Sequence, residues 1–459
     1  MGISLDWEIE AERSTVKQAG EDPIARRKRR RGCLWFVIIL LGLVALIGGA
    51  VALVQWRLRA VDSEIEQLLR NTVEAEVAAL RVGDLNAFMN AQRSASADWL
   101  RGQGAVFQDY QQLKVQRDIQ LTGQILNLTI EDTRARVEVA EVIDGVQYSQ
   151  IWFYWRYEDG WRHVPVDYTF WGEVQTLSAE TVTVTFQTVD ASVATAILDR
   201  TVSWLQLACA ALSCPSLPSL NIEIMPDPDQ ALDWVTEDRM LLRLPSPYMG
   251  RARSDQPFDS AQQLELGKLL AERLVGDTYP NVRPIYPSDA YYLHQSVLAW
   301  LTGRYAGAQA NAYLLESLSI AYGEAAVGRL LGATESGITA GASLIAQAAG
   351  VSSPDQAAVD WRDLLTWRLA LEAELITRQD EANFTLLYDL GDVTAAGLAA
   401  QRFNAAPDGL QRVVIASELR PGADGQPILL ARVEVQTGGE PRPEEAQFRL
   451  VNGDWKRVN

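Results

Sequence analysis

The sequence predicts an α+β, multidomain chain with one N-terminal transmembrane helix. Three observations carry this. From Cys33 to Val54 there are 22 residues without a charge, CLWFVIILLGLVALIGGAVALV. Two stretches, one after that run and one at the C-terminus, pass from helical to strand text. Between them lies long, Ala-rich helical text with a few strands ahead of it. The 459 residues leave room for two to four domains, at roughly 100–200 residues each. A content of 48% hydrophobic and 22% charged residues is that of folded proteins.

At about 1.5 Å per residue, the apolar run is long enough to cross a hydrocarbon core of about 30 Å. Arg26, Arg27, Lys28, Arg29, Arg30 and Arg31 precede it, and only Arg57 and Arg59 follow closely. That asymmetry puts residues 1–32 in the cytoplasm as a basic tail and the chain beyond residue 54 outside. The expected location is therefore the cell membrane, single-pass, with the bulk of the chain extracytoplasmic. A cleaved signal peptide has the same order of charge and apolarity, and Ala50-Val51-Ala52 fits a small-residue cleavage pattern. The length of the run and the 32 residues ahead of it favour a retained signal anchor. Six adjacent cations at one end speak against a buried core helix. Cys33 is a juxtamembrane position open to palmitoylation.

Net charge is −18, but it is unevenly spread. Residues 1–32 hold eight basic and six acidic side chains, which leaves the rest of the chain at −20. The basic block faces anionic lipid headgroups, so the membrane is the first expected partner. An acidic chain lacks the footprint of phosphate-backbone binding, which excludes nucleic acid as a partner.

The first outer module is expected over residues 61–172. SEIEQLLRNTVEAEVAALRVGD reads as helix, as does Leu85 to Lys114. The period then drops to two in RARVEVAEV, VQYSQIWFYWRYE and GWRHVPV, with hairpin turns at Asp144-Gly145 and Asp159-Gly160. The last module, residues 367–459, repeats this order. Its helix WRLALEAELITRQDEANFTLLYD precedes the strands RVVIASEL, ILLARVEVQT and EAQFRLVNGDWKRV. Two landmarks recur. Gly83-Asp84-Leu85-Asn86-Ala87-Phe88 matches Gln379-Asp380-Glu381-Ala382-Asn383-Phe384 in the spacing of Asp and Phe. FYWRYEDGWRHV matches FRLVNGDWKRV in its strand, turn, Trp and basic ending. Both modules resemble nuclear transport factor 2-like domains, a cone-like α+β fold. The resemblance implies a pocket between sheet and helices, where some members use an Asp base with a Tyr or acid donor. Tyr148, Tyr154 and Tyr157, with Trp152, Trp155 and Trp161, lie on strand text here. Their plainer reading is a packed aromatic sheet surface, because strands are enriched in such residues.

The middle module, residues 178–360, is mainly helical. VTVTFQTVD, LNIEIMPD and RMLLRLP read as strands. ASVATAILDRTVSWLQLACAAL, SAQQLELGKLLAERLV and DAYYLHQSVLAWLTGRYAGAQANAYLLESL read as helices. This order resembles the peptidase MA-like domain of gluzincin metallopeptidases. The resemblance implies two His ligands one turn apart, a Glu between them that activates water, and a second helix with a Glu ligand. Residue by residue the ligands are missing. In Ala271-Glu272-Arg273-Leu274-Val275, Glu272 falls at the base position while Ala271 and Val275 fall at the histidine positions. Ser296 stands in place of the second helix's Glu. The only histidines, His163 and His294, are far apart in the chain. Zinc peptidase activity is therefore expected to be absent, with no metal and no cofactor.

Other chemistry lacks its signals as well. No GxSxG elbow, Walker motif or GxGxxG is present. His163 reads as a sheet-surface residue and His294 as an interfacial helix residue. The spacing of Cys209 and Cys214 permits a disulfide in an oxidising compartment. The expectation is a membrane-anchored extracytoplasmic protein of bacterial type, non-catalytic, that binds or assembles with a protein or peptide partner through a peptidase-like core. The alternative is an enzyme or small-ligand binder that uses a nuclear transport factor 2-like pocket.

Overall fold

The computed structural model describes residues 23–459 apart from 228, 237–239, 309–311, 336–339, 423–424 and 438. Residues 1–22, the side chains of the basic block and that of Cys33 lie outside the described residues. The chain is α+β, with 50% helix and 25% strand.

The first helix, α1, runs from Pro23 to Val82 without a break, 60 residues or about 90 Å. One part of it, within Leu40–Val82, is long and apolar enough to cross a membrane. The sequence reading placed a boundary between the apolar run and the first outer helix. The structure has none, because no Gly or Pro occurs from Ala50 to Val82. α1 stops at Gly83, whose φ of +85° suits a residue without Cβ.

The chain divides into two compact units. The first comprises residues 1–111, 129–135 and 154–164. In it, α2 (Leu85–Ala91) and the start of α3 (Ala97–Gln116) follow α1. Asp84 caps α2 by accepting the Ala87 N–H at 3.0 Å. Phe88 meets Phe107 of α3 at 5.5 Å between ring centres. α1 and α2 both contact β5 (Gly160–Val164).

A six-stranded sheet contains β1 (Ile119–Gln120), β2 (Ile125–Glu131), β3 (Arg134–Ile143), β4 (Val146–Tyr157), β5 and a late strand. The β3–β4 turn has Asp144 and Gly145 both at positive φ, as a two-residue hairpin requires. Next come β6 (Val174–Ala179) and β7 (Val182–Gln187), then α4 (Ala191–Leu212), then β8 (Leu220–Met225), β9 (Asp233–Trp234) and β10 (Leu241–Pro245). Their sheet has the order β6-β7-β8-β10-β9, and β7, β8 and β10 run parallel. A parallel pair needs a crossover, and α4 supplies it between β7 and β8. The late strand is β11 (Ala252–Arg253), which pairs with Ser149 and Tyr148 of β4. Sequence reading had no strand there, since two residues carry no periodicity.

Five helices follow: α5 (Ser260–Thr278), α6 (Asp289–Ala306), α7 (Tyr313–Tyr322), α8 (Ala325–Glu335) and α9 (Gly341–Ala349). The long helical text read from Asp289 to Leu318 breaks at Gly307, which is left-handed and caps α6. The C-terminal module begins with α10 (Arg362–Arg378), α11 (Glu381–Thr385) and α12 (Val393–Phe403). The antiparallel meander β12 (Gln411–Pro421), β13 (Pro427–Gln436), β14 (Arg442–Val451) and β15 (Asp454–Arg457) completes it. The sequence read one helix where α10 and α11 stand. Gln379 separates them at φ +57°, and Asp380 caps α11. One continuous apolar core joins β7, α4, the helices after it and the C-terminal meander, from Val184 and Ile197 through Leu301 to Val433 and Trp455.

Candidate functional site

α5, which carries Ala271, Glu272 and Val275, packs on α6, which carries Ser296. Ala271 and Val275, one turn apart, are buried in the apolar core. Ser296 on α6 is also buried. Glu272 turns outward to Lys268, 3.9 Å away, with its side chain 46% exposed. His294 on α6 is half-buried, and its Nδ1 has no hydrogen-bond partner among the described residues. Burial holds its imidazole below the ordinary range, while the charge of Glu272 pulls the other way. Among the described residues, no three His, Cys, Asp or Glu converge as a metal site. Cys209 and Cys214 form a disulfide across the end of α4, with Cα atoms 4.8 Å apart.

A second arrangement occurs twice, in the first and the last module. Asp84 N–H donates to Ala79 O at 2.9 Å, and Asp380 N–H donates to Leu375 O at 2.9 Å. Each Asp then caps a short helix that carries a buried Phe four residues after the Asp, Phe88 or Phe384. Eight residues before each Asp, on the preceding helix, stands a buried carboxylate: Glu76 and Glu372. The strand after each Gly turn brings a buried Trp, Trp161 or Trp455. Two residues on stands the side chain that meets the carboxylate. It is His163 in the first module, with Nδ1 2.7 Å from Glu76 Oε1. It is Arg457 in the last, donating to Glu372 Oε2 at 2.8 Å. A parallel bridge joins Gln92 to His163 and, equivalently, Tyr388 to Arg457.

In the first module the carboxylate is fully engaged. Gln92 Nε2 donates to Glu76 Oε1 at 2.6 Å and Tyr154 O–H to Oε2 at 2.8 Å. Burial, then the charge of Glu76, hold the Tyr154 phenol well above its ordinary range, so it stays a donor. Trp99 lies edge-on to His163 at 5.9 Å. His163 is therefore not a sheet-surface residue: a buried acid draws it inward. A carboxylate on Nδ1 fixes the imidazole's orientation, as in a general-base couple. Arg93 covers the Tyr157 ring at 4.1 Å, and Trp155 is exposed.

In the last module the acid is gripped by two guanidiniums. Arg402 of α12 donates from Nε to Glu372 Oε1 at 2.5 Å, opposite Arg457. Tyr388 lies close by, its phenol held up by burial and then by the charge of Glu372. No imidazole stands here, and a guanidinium does not release its proton in proteins. The arrangement fixes donors in place.

A cavity of about 540 Å³ opens beside it. Its lining mixes apolar side chains, Leu369, Ile376, Tyr286 and Tyr292, with Glu372, Arg402, Asp408 and Arg412. Asp408 accepts from Arg412 at 2.5 and 3.2 Å, which holds its carboxyl down to about 2. Tyr292 stacks on Trp367 at 6.3 Å, and Arg378 covers Tyr286 at 5.0 Å. Glu76, Glu372, Arg402 and Arg457 had escaped the sequence reading. The signal was there: the Asp and Phe match, carried upstream, reaches a Glu in both copies.

No protein-family model matches the chain, and no curated protein or solved structure matches it either.

Proposed function

We propose that the chain is a membrane-anchored, extracytoplasmic binding protein without catalytic activity, whose ligand site is the cavity of the C-terminal module. The observation that carries this reading is the ligand-sized opening beside an acid fixed by Arg402 and Arg457. Pockets of this size with a few convergent polar groups are the usual form of small-molecule sites. We read the first and last modules as nuclear transport factor 2-like, which the repeated Glu, Asp, Phe and Trp positions support. We read the middle as a peptidase MA-like core that has lost its metal. Buried Ala271 and Val275 at the ligand positions support that, since neither side chain offers a lone pair. The anchor reading places all three modules outside the cytoplasm.

The test is a thermal-shift screen of the full-length chain in lipid nanodiscs against a library of small polar molecules. A true ligand raises the melting midpoint in proportion to its occupancy. Hydrogen exchange of residues 402–412 should slow with the same compound. A screen without such a compound removes the reading.

A further inference from the structure

We propose that α1 just beyond the membrane span carries a dimer seam, on which α1 of a second copy of this chain packs in parallel; this rests on the anchor reading. From Arg57 to Thr72 the large apolar residues are Leu58, Val61, Ile65, Leu68 and Leu69. Leu69 is buried, as are Val73 and Leu80 further along the helix. The other four are left outside that core. Leu58, Val61 and Leu68 are 58%, 52% and 54% exposed, and Ile65 is partly buried. They follow one another at intervals of 3, 4 and 3 residues, the a and d positions of two heptads. A straight helix drifts from that repeat by only about 20° per heptad, so the four share one face. Arg59, Ser63, Glu66 and Arg70 occupy the opposite face, where Arg70 pairs with Glu66 at 2.7 Å.

Lipid does not reach most of this row. At about 1.5 Å per residue, Ile65 and Leu68 lie about 16 and 21 Å beyond Val54, where the apolar run ends. The interfacial zone on one side of a bilayer is only about 5–8 Å deep. A second helix covers the row, and charge says which helix. The membrane gives every copy the same orientation, so two copies meet in parallel with equal residues side by side. In that register Arg57, at g, faces Asp62 of the second copy, at e, five residues on. The two-fold axis makes this opposite-charge pair twice. Neither residue forms an ion pair within its own chain among the described residues. Glu64, the next g residue, faces Leu69 at e, so no like charges meet. The segment is already helical within α1, so pairing carries no helix-nucleation cost. Leu69, on the flank of the row, is taken up by the core of its own chain, which leaves the face of one partner helix.

Cysteine scanning of the full-length chain in cell membranes tests this, on a Cys33→Ser background. Leu58→Cys, Val61→Cys, Ile65→Cys and Leu68→Cys probe the seam, and Arg59→Cys and Ser63→Cys probe the opposite face. Facing a and d side chains come within disulfide reach, so oxidation with copper phenanthroline should crosslink the seam positions about fivefold faster or more. In the Leu68→Cys chain, Asp62→Arg should slow crosslinking about threefold, and adding Arg57→Asp should restore it. The wild-type chain, extracted with its lipid into polymer nanodiscs, should have the mass of two copies by mass photometry. One copy or three overturns the proposal, and so do equal crosslinking rates around the helix. A rate that the charge swap leaves low overturns the parallel register. A chain recovered in the soluble fraction without residues 1–54 removes the anchor reading and the seam with it. A membrane-bound chain of single-copy mass removes the seam alone.

Discussion

Asp190, at the start of α4, accepts hydrogen bonds from Ser246 Oγ and from the Trp171 indole at 2.8 Å. Burial outweighs both bonds and the charge of Arg136, and its acid is pushed up to about 6 from 3.8. Asp363 is raised to about 6 as well, chiefly by burial. Between pH 6 and 4 the folded chain holds protons that the unfolded chain lacks. Each such acid therefore adds to stability as pH falls from 7.5 to 5, by about 1.4 kcal/mol at most. Asp190→Asn should remove its share of that rise in urea midpoints measured at the two pH values. An unchanged rise means that Asp190 titrates normally. The two repeated acids make a second comparison. Glu372→Gln leaves two buried guanidiniums without their counter-charge and should cost about 3–5 kcal/mol. Glu76→Gln breaks hydrogen bonds to groups that carry no obligatory charge and should cost about 1–3 kcal/mol. Equal losses in urea denaturation would mean that the two acids are held with equal strength and that the second guanidinium adds nothing.

At the scale of elements, glycines report where helices touch. A Cβ on Gly328 of α8 would sit 2.7 Å from the Ala211 carbonyl oxygen of α4, which is backbone and cannot swing aside. Gly328→Ala should destabilise by about 1–3 kcal/mol. Gly102 of α3 has nothing within 4 Å of the same atom. Gly102→Ala should stabilise by up to about 1 kcal/mol through helix propensity alone. Opposite signs in denaturation midpoints are the expected result, and a loss at both sites would mean that α3 is covered. These contacts also show what was legible beforehand. α4 was readable to the residue, because its apolar positions recur at helical spacing over Ala191–Leu212 and a left-handed cap follows. The α+β class and the meander strands were readable for the same reason, in period two. The stop at Gln379 was not, since glutamine is a helix former and only the cap at Asp380 and the fold around it force positive φ. Nothing in the local sequence sets Glu76 and Glu372 apart from solvated helix carboxylates. Their burial depends on Tyr154, His163, Arg402 and Arg457, which lie tens of residues away. Cavities such as the C-terminal one arise where α10, α12 and β12 fail to close on each other, and no local pattern records that.

At the scale of the whole molecule, anchor and charge belong together. An unbroken helix of 60 residues carries the apolar run into the first module. In the proposed orientation the cationic block ahead of that run stays in the cytoplasm and the net of −20 beyond residue 32 lies outside, because moving the basic block across a membrane is the costlier alternative. The prediction uses single cysteines on a Cys33→Ser background, where Cys209 and Cys214 are occupied with each other and do not react. Glu131→Cys lies on an exposed strand position of the first module, and Gln18→Cys lies in the tail. A membrane-impermeant maleimide added to intact cells should label Glu131→Cys within minutes and reach Gln18→Cys only after permeabilisation. Labelling of Gln18→Cys from outside would reverse the topology. The same cells decide between anchor and signal peptide. The mass of the labelled chain should include residues 1–54, whereas a mature N-terminus just after Ala52 would make the apolar run a cleaved leader and free the three modules from the membrane.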